Sequence, residues 1–475
     1  MKKKWTGITA AALALSLVSV NSASAEENDT QAFKKMLTET GIEKGIPPEV
    51  LKAIAYKENG GFNHYNEEGQ PVVSDDGGIG LMQLTFTADE IERYNIDMDR
   101  IANDVDYHIE QAADHLLRKK ALNLPIVNDG EMRDLESWYF AVMAYNGLSQ
   151  INDPNTNDDA YQEDVYDYIR NNSVIPVGET PELEINFGDT EEDRLIMSFP
   201  DRDYTWPTET PSMQLAANGS SVYTFHEHEG FDTSNVRSEV GGEVIASLNH
   251  YTPLEITAGP FEAAGEANHY VFYKVKGNFG EGYIASSNLQ YGNDLTIFSD
   301  LSPGEFETAV AYLQQRDVIN GYEDGTYKPF NVLQRRHAAA LIVRALDLEM
   351  PEDYEVTSPD LTPETPGYQD LAIMEYHGIM GRGGQMNAQA PLNRSQMASM
   401  LNRSFEAVYE VPEEDLKIKD IGTDDLIYDD IAVIVHNGIT NADENTAFNP
   451  WNSVTRGQYA LFFERSIRLM EEKFE

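Results

Sequence analysis

The sequence predicts a multidomain α+β protein: a helical N-terminal domain, a small β-barrel, and a C-terminal helical domain of pseudo-threefold character. Three observations carry this. Apolar residues recur at helical spacing up to about residue 175, they switch to period two between about 213 and 292, and from 297 onward the chain repeats itself. The 475 residues are enough for several domains, and 41% hydrophobic residues supply their cores.

Residues 1–25 carry the marks of an export signal. Lys2, Lys3 and Lys4 form a positive start, Ile8 to Val20 is largely apolar, and Ala23-Ser24-Ala25 offers a small-x-small cleavage site. A membrane anchor is the alternative, but the run is short for one. No later segment holds about 18 uninterrupted apolar residues, so no membrane span is expected after signal removal.

Residues 26–175 form the expected helical domain. Pro47 to Glu58 carries Val50, Leu51, Ile54 and Ala55 on one stripe. Asp106 to Leu122 carries Ile109, Ala112, Ala113, Leu116 and Leu117, and Leu135 to Tyr145 is a third apolar helix. Residues 176–212 are rich in Pro, Thr, Glu and Asp and read as an acidic linker, with a short strand around Leu195 to Phe199. Residues 213–292 hold short period-two runs separated by Gly, Asn and Pro, the pattern of a small barrel.

Within 297–475, units at 297–350, 357–410 and 417–475 begin at Phe298-Ser299-Asp300-Leu301, Ser358-Pro359-Asp360-Leu361 and Ile418-Lys419-Asp420-Ile421. Second helices open at Arg335, Arg394 and Arg456. Three copies of one helix–loop–helix unit imply a single shared core.

Composition excludes several functions. Lys and Arg number 34 against 81 Asp and Glu, a net charge of −47, and such a field repels nucleic acid. Cysteine is absent, which removes disulfides, thiolate metal sites and Cys nucleophiles. The ten His form no metal-ligand motif. Asp153, Asn155, Asn157, Asp159 and Asp164 match a calcium-loop spacing, but Asp158 stands where that loop needs Gly. A polar loop is the expectation, with no metal and no cofactor. An exported, acidic, Cys-free chain points to a Gram-positive type of cell exterior.

Glu58 is the chemical candidate. It ends an apolar helix at Asn59-Gly60-Gly61, where the negative end of the helix dipole and local burial both raise a carboxyl pKa. An ordinary solvated helix-end Glu is the alternative reading of that residue by itself.

Its neighbours add a resemblance. Ala53-Ile54-Ala55-Tyr56-Lys57-Glu58, Gly78-Ile79-Gly80-Leu81-Met82-Gln83-Leu84 and Met143-Ala144-Tyr145-Asn146-Gly147, in that order, resemble the three blocks of the SLT-type lytic transglycosylases in the lysozyme-like superfamily; Tyr161 resembles the late Tyr of that family. The resemblance implies cleavage of the β-1,4 bond between N-acetylmuramic acid and N-acetylglucosamine in peptidoglycan, with Glu58 as general acid and then base while a 1,6-anhydro ring closes. It implies that Gln83 and Asn146 hydrogen-bond substrate or orient Glu58, and that Met82, Tyr145 and Tyr161 wall the sugar site. Met82 and Tyr145 are equally readable as core.

Two features depart from the family. Asn59 replaces its usual Ser, and the Glu58–Gly80 loop is long and carries Asp75 and Asp76. Goose-type lysozymes resemble this arrangement. A second carboxylate there would activate water and make a muramidase, while a solvated Asp-Asp-Gly-Gly turn is the plainer reading.

Asn235-Val236-Arg237-Ser238, Phe272-Tyr273-Lys274-Val275 and Gly282-Tyr283-Ile284 resemble bacterial SH3-like domains, which implies wall-peptide binding or spacing. Residues 297–475 resemble S-layer homology repeats. Gly321-Tyr322-Glu323-Asp324-Gly325-Thr326-Tyr327-Lys328-Pro329 is close to that consensus. This implies that Arg335, Arg394 and Arg456 bind a pyruvylated secondary cell-wall polysaccharide, a guanidinium suiting a ketal carboxylate. The whole reads as a secreted, wall-anchored autolysin acting on peptidoglycan. Its non-enzymatic rival is an S-layer-associated wall-binding protein.

Overall fold

The computed structural model describes residues 29–188, 195–227, 231–292, 295–381 and 383–474. The export-signal reading of 1–25 lies outside the described residues. The architecture is mixed α+β, in three cores that follow the chain.

The first core is helical. The helix Pro48–Asn59 starts at a proline, where a missing N–H costs nothing, and stops at Gly60, whose left-handed backbone (φ 69°) lets its N–H close on Tyr56 O. Its Val50, Leu51, Ile54 and Ala55 are fully buried in a core shared with the helices Val105–Lys120 and Tyr139–Asn146, and it packs on the helix Tyr161–Tyr168. The third predicted helix begins as a 3-10 turn, Glu136–Trp138, before Tyr139.

The linker reading of 176–212 is corrected. Val177, Leu183, Met197 and Trp206 are buried in the helical core. Asp203–Tyr204 pairs in parallel with Ile126–Val127, and the Glu136 carboxylate accepts from Thr208 Oγ1, Thr210 Oγ1 and Thr210 N. The segment is a belt around the domain. Widely spaced apolar residues hold it, among acids that face water.

Residues 221–291 form one seven-stranded antiparallel sheet in the order Leu289–Tyr291, Ser221–Thr224, Pro253–Glu262, Val271–Gly277, Gly280–Ala285, Thr233–Arg237, Val244–Asn249. Every strand gives a side chain to one small core, so the sheet curls on itself. No hydrogen-bond ladder among the described residues joins its two edge strands.

This β-domain is keyed into the helical domain. Lys52, on the helix that ends at Glu58, is 0% exposed; its ammonium donates to Glu262 Oε2 at 2.7 Å, Gln214 Oε1 at 2.9 Å and His269 O at 3.1 Å. Lys34 donates to the carbonyls of Ala263, Gly265 and Asn268, and burial lowers its pKa to about 8. Glu49 accepts from Ser212 Oγ, and burial raises its carboxyl above the ordinary range. The hairpin 262–270 therefore acts as a bracket on the Glu58 helix, and His269 rests edge-on against Tyr56 and Phe62.

The third core is shared by the three repeats. At its centre the backbone closes a ring: Leu333 N donates to Val454 O, Val454 N to Leu392 O, and Leu392 N to Leu333 O, all at 2.8–2.9 Å. The second helix of each repeat packs on the first helix of the next: Arg335–Ala345 on Tyr368–Tyr376, Arg394–Ser404 on Tyr428–His436, and Arg456–Phe474 back on Glu305–Gln315. Asp300, Asp360 and Asp420 each accept two backbone N–H groups, from Tyr327 and Lys328, Met386 and Asn387, and Phe448 and Asn449. That duty explains the 60-residue spacing of these aspartates.

Candidate active site and wall-binding sockets

The three sequence blocks of the helical domain converge on one pocket of about 410 Å³, lined by Glu58, Ser74, Asp76, Gln83, Leu84, Thr85, His115, Tyr145 and Asn146. Glu58 is half-buried. Desolvation is the main influence on its carboxyl and raises the pKa to about 7; the Tyr161 hydrogen bond and Lys57 oppose this, and Asp76 adds to it. Tyr161 Oη donates to Glu58 Oε1 at 2.5 Å. A carboxyl balanced near neutrality can both give and take a proton.

Each neighbour has a structural reason to be where it is. Lys57 pairs with Asp164, which ties the Glu58 helix to the Tyr161 helix. That pairing employs one acid of the calcium-like spacing, and Asp153 is employed by the backbone of its own turn. Asn59 Nδ2 donates to Asn63 O at 2.7 Å and, at 3.4 Å, to Gly80 O and Leu81 O, so Asn59 links helix end to loop. Tyr145 Oη donates to Met82 O, and its ring stacks on Tyr161 at 6.5 Å. Asn152 donates to Asn146 Oδ1 and Gly147 O and accepts from Tyr161 N, which joins the Ala-Tyr-Asn block to the Tyr161 helix.

Gln83 lines the pocket in a left-handed backbone conformation (φ 45°), but its Nε2 donates to Gly80 O at 2.6 Å and not to Glu58. Two expected walls of the sugar site do not line the pocket: one is Tyr161, which is buried and hydrogen-bonds Glu58 from behind it, and the other is Met82. It is fully buried in the helical core and does not line the pocket; its main chain does the work, accepting from Tyr145 and donating to His108. Of the two loop acids, Asp76 lines the pocket and Asp75 does not. Ser74 Oγ donates to Asp76 and lowers its pKa.

Two histidines that sequence reasoning passed over build the loop. His64 Nδ1 accepts from Leu81 N and His108 Nε2 from Met82 N, while the opposite ring nitrogens meet the carbonyls of Ala102 and Ile101. Each ring must therefore be neutral, with its proton on the nitrogen facing the carbonyl. Gly80 is required here, since a Cβ would lie 2.4 Å from His64. Burial holds both rings below their ordinary pKa, His108 at about 3. Unfolded imidazoles bind protons below about pH 6.5 and the folded ones resist. Their contribution is thus complete above about 6.5 and is lost as pH falls toward 3. From pH 7 to 5, His108 alone is expected to remove about 2 kcal/mol of stability. Urea unfolding at both pH values, in wild type and in His108→Asn, checks this: the variant should lose correspondingly less.

The repeat arginines span repeat boundaries. Arg335 Nε donates to Met386 O at 2.7 Å, Arg394 Nε to Phe448 O at 2.6 Å, and Arg456 Nε to Tyr327 O at 2.9 Å. Each candidate arginine thus joins one repeat's helix start to the next repeat's loop. Burial lowers the pKa of Arg335 and Arg394, with Asp360 and Asp420 opposing. Arg456 lies over the rings of Tyr322 and Tyr327. A second triad escaped sequence reading: Arg344, Arg403 and Arg465 donate to Val318 O, Ile379 O and Ile439 O, each holding the turn of its own repeat. Its signal was present, because each stands nine residues beyond a socket arginine.

Among the described residues no helix is long and apolar enough to cross a membrane, and no group of three or more His, Asp or Glu could hold a metal ion.

The family model of the S-layer homology domain matches residues 297–339 and 417–460. The middle repeat is joined to these two by the same backbone ring and the same Asp and Arg contacts. Similar proteins include a surface-layer 125 kDa protein of Lysinibacillus sphaericus, 30% identical over 181 residues (36% of this chain, 15% of that one). An amylopullulanase of Thermoanaerobacterium thermosulfurigenes and exoglucanase XynX of Acetivibrio thermocellus are each 24% identical over 169 residues (34% of this chain; 9% and 15% of theirs). The chain spans only 9–15% of the length of these relatives. The S-layer homology matches place the chain at the cell surface, anchored to the cell wall.

Proposed function

We propose that this wall-held chain is a peptidoglycan lytic transglycosylase. The observation that carries the reading is Glu58: one desolvated carboxyl, poised near pH 7, hydrogen-bonded by Tyr161 in a pocket built from all three resemblance blocks. Glu58 protonates the glycosidic oxygen between N-acetylmuramic acid and N-acetylglucosamine. It then takes the proton of the muramic acid 6-hydroxyl as that oxygen attacks C1 and closes the 1,6-anhydro ring. The substrate supplies the nucleophile, so one protein carboxylate is sufficient. Asp76 favours a second reading, hydrolysis by an activated water, because it stands ionised in the same pocket. A third, glycan binding without cleavage, is favoured by the comparisons, whose likeness extends over about a third of the chain. Replacement of Glu58 tests the enzymatic readings against the third.

The anchor in this proposal is the arginine triad, taking the ketal carboxylates of a pyruvylated polysaccharide. A charge-assisted contact contributes about 1.5–3 kcal/mol. Arg394→Gln or Arg456→Gln should therefore weaken retention on purified walls at least tenfold, with lysis of soluble glycan strands unchanged. Co-sedimentation with walls, before and after removal of the secondary polysaccharide, measures this.

A further inference from the structure

Three buried histidines stand around the loop and pocket of the helical domain, and they divide sharply. His64 and His108 have both ring nitrogens satisfied by backbone groups. His115, on the helix Val105–Lys120, has none among the described residues. It is 8% exposed, its Nδ1 is fully buried without a partner, and its ring lines the pocket beside Glu58, Tyr145 and Asn146. Its neighbours are the edges of Phe86 and Tyr145, at 5.5 and 5.4 Å, which orient the ring and give it no hydrogen bond.

A buried polar side chain without a partner costs about 1–3 kcal/mol, and an apolar residue of the same shape would remove that cost. Phe would fit among Phe86 and Tyr145. The ring lines a pocket of about 410 Å³, and its Nε2, not the enclosed Nδ1, is the nitrogen a ligand there would meet.

We infer that His115 is a substrate-contacting residue, whose neutral imidazole hydrogen-bonds an uncharged polar group, an N-acetyl amide or a hydroxyl, of the sugar bound beside Glu58. This rests on the pocket being a glycan site. Charge sets the ligand class. Burial, reinforced by Lys119 and Arg118 and opposed by Glu90, lowers the His115 pKa to about 4, so at neutral pH the ring is uncharged and forms no ion pair with the lactyl or peptide carboxylates of the wall.

The test uses the full chain carrying Glu58→Gln, so that the ligand survives, and the unbranched tetrasaccharide of alternating N-acetylglucosamine and N-acetylmuramic acid. Calorimetric titration should give a Kd about tenfold weaker when His115→Phe is added, the loss of one hydrogen bond. The thermal midpoint should stay equal or rise, because a buried orphan has been removed. His115→Gln, which keeps a donor and an acceptor, should recover part of the affinity and serves if the Phe variant does not fold. Equal affinity in all three proteins would overturn the role of His115 and leave the glycan pocket standing. Absence of binding by the Glu58→Gln protein itself would overturn both.

Discussion

Glu58→Gln is expected to lower the rate of wall lysis by about 10²–10⁴-fold, the usual contribution of general acid–base catalysis, with retention on walls unaltered. The substitution is nearly isosteric. A Gln side-chain oxygen still accepts from Tyr161 Oη, so the bridge between the two helices survives, but the amide can neither deliver a proton nor remove one. The fold should not suffer, because a half-buried carboxyl whose pKa is raised by desolvation is itself a cost at neutral pH. Wild-type activity should follow the protonated form: kcat/KM level below about pH 7, falling about tenfold per unit above it. Turbidity loss of purified walls against pH, with sedimentation of the inactive variant, checks both. A variant that still lyses walls at a wild-type rate would remove Glu58 from the chemistry.

The second large effect lies far from solvent. Glu262→Ala should destabilise the protein by about 3–5 kcal/mol, because it strands the Lys52 ammonium in a fully enclosed site with only neutral acceptors. The double variant Lys52→Met with Glu262→Gln removes both charges and should recover much of the loss. Urea denaturation of the full chain reads this directly. Since the bracket joins two cores, the helical domain and the β-domain should unfold in one transition in the wild type. Two separate transitions would show that the Lys52–Glu262 contact is peripheral to stability.

How far the sequence could be read depended on whether a residue's duty is local. The repeats were legible because Asp300, Asp360 and Asp420 hold nearby loops by the same backbone bonds, so their spacing had to recur. Glu58 was legible because a helix, its Gly60 stop and the two later blocks are all local signals. The belt at 176–212 was misread because acids outnumber the few apolar residues, Trp206 among them, that fix it to the core. Met82 was ambiguous because an apolar residue in a site block can serve through its main chain. Lys52 and His115 gave no local sign. The first matters only because a hairpin 210 residues later encloses it, the second only because nothing among the described residues pairs with its Nδ1.

The product of the reaction tests the central claim most directly. Purified full-length protein is incubated with peptidoglycan and the released muropeptides are weighed by mass spectrometry, with Glu58→Gln as control. The account predicts fragments ending in 1,6-anhydromuramic acid, one water lighter than hydrolysed ends, and none from the variant. Reducing ends would contradict it in favour of Asp76 and water, and no release from folded wild-type protein would contradict any catalytic role for the pocket.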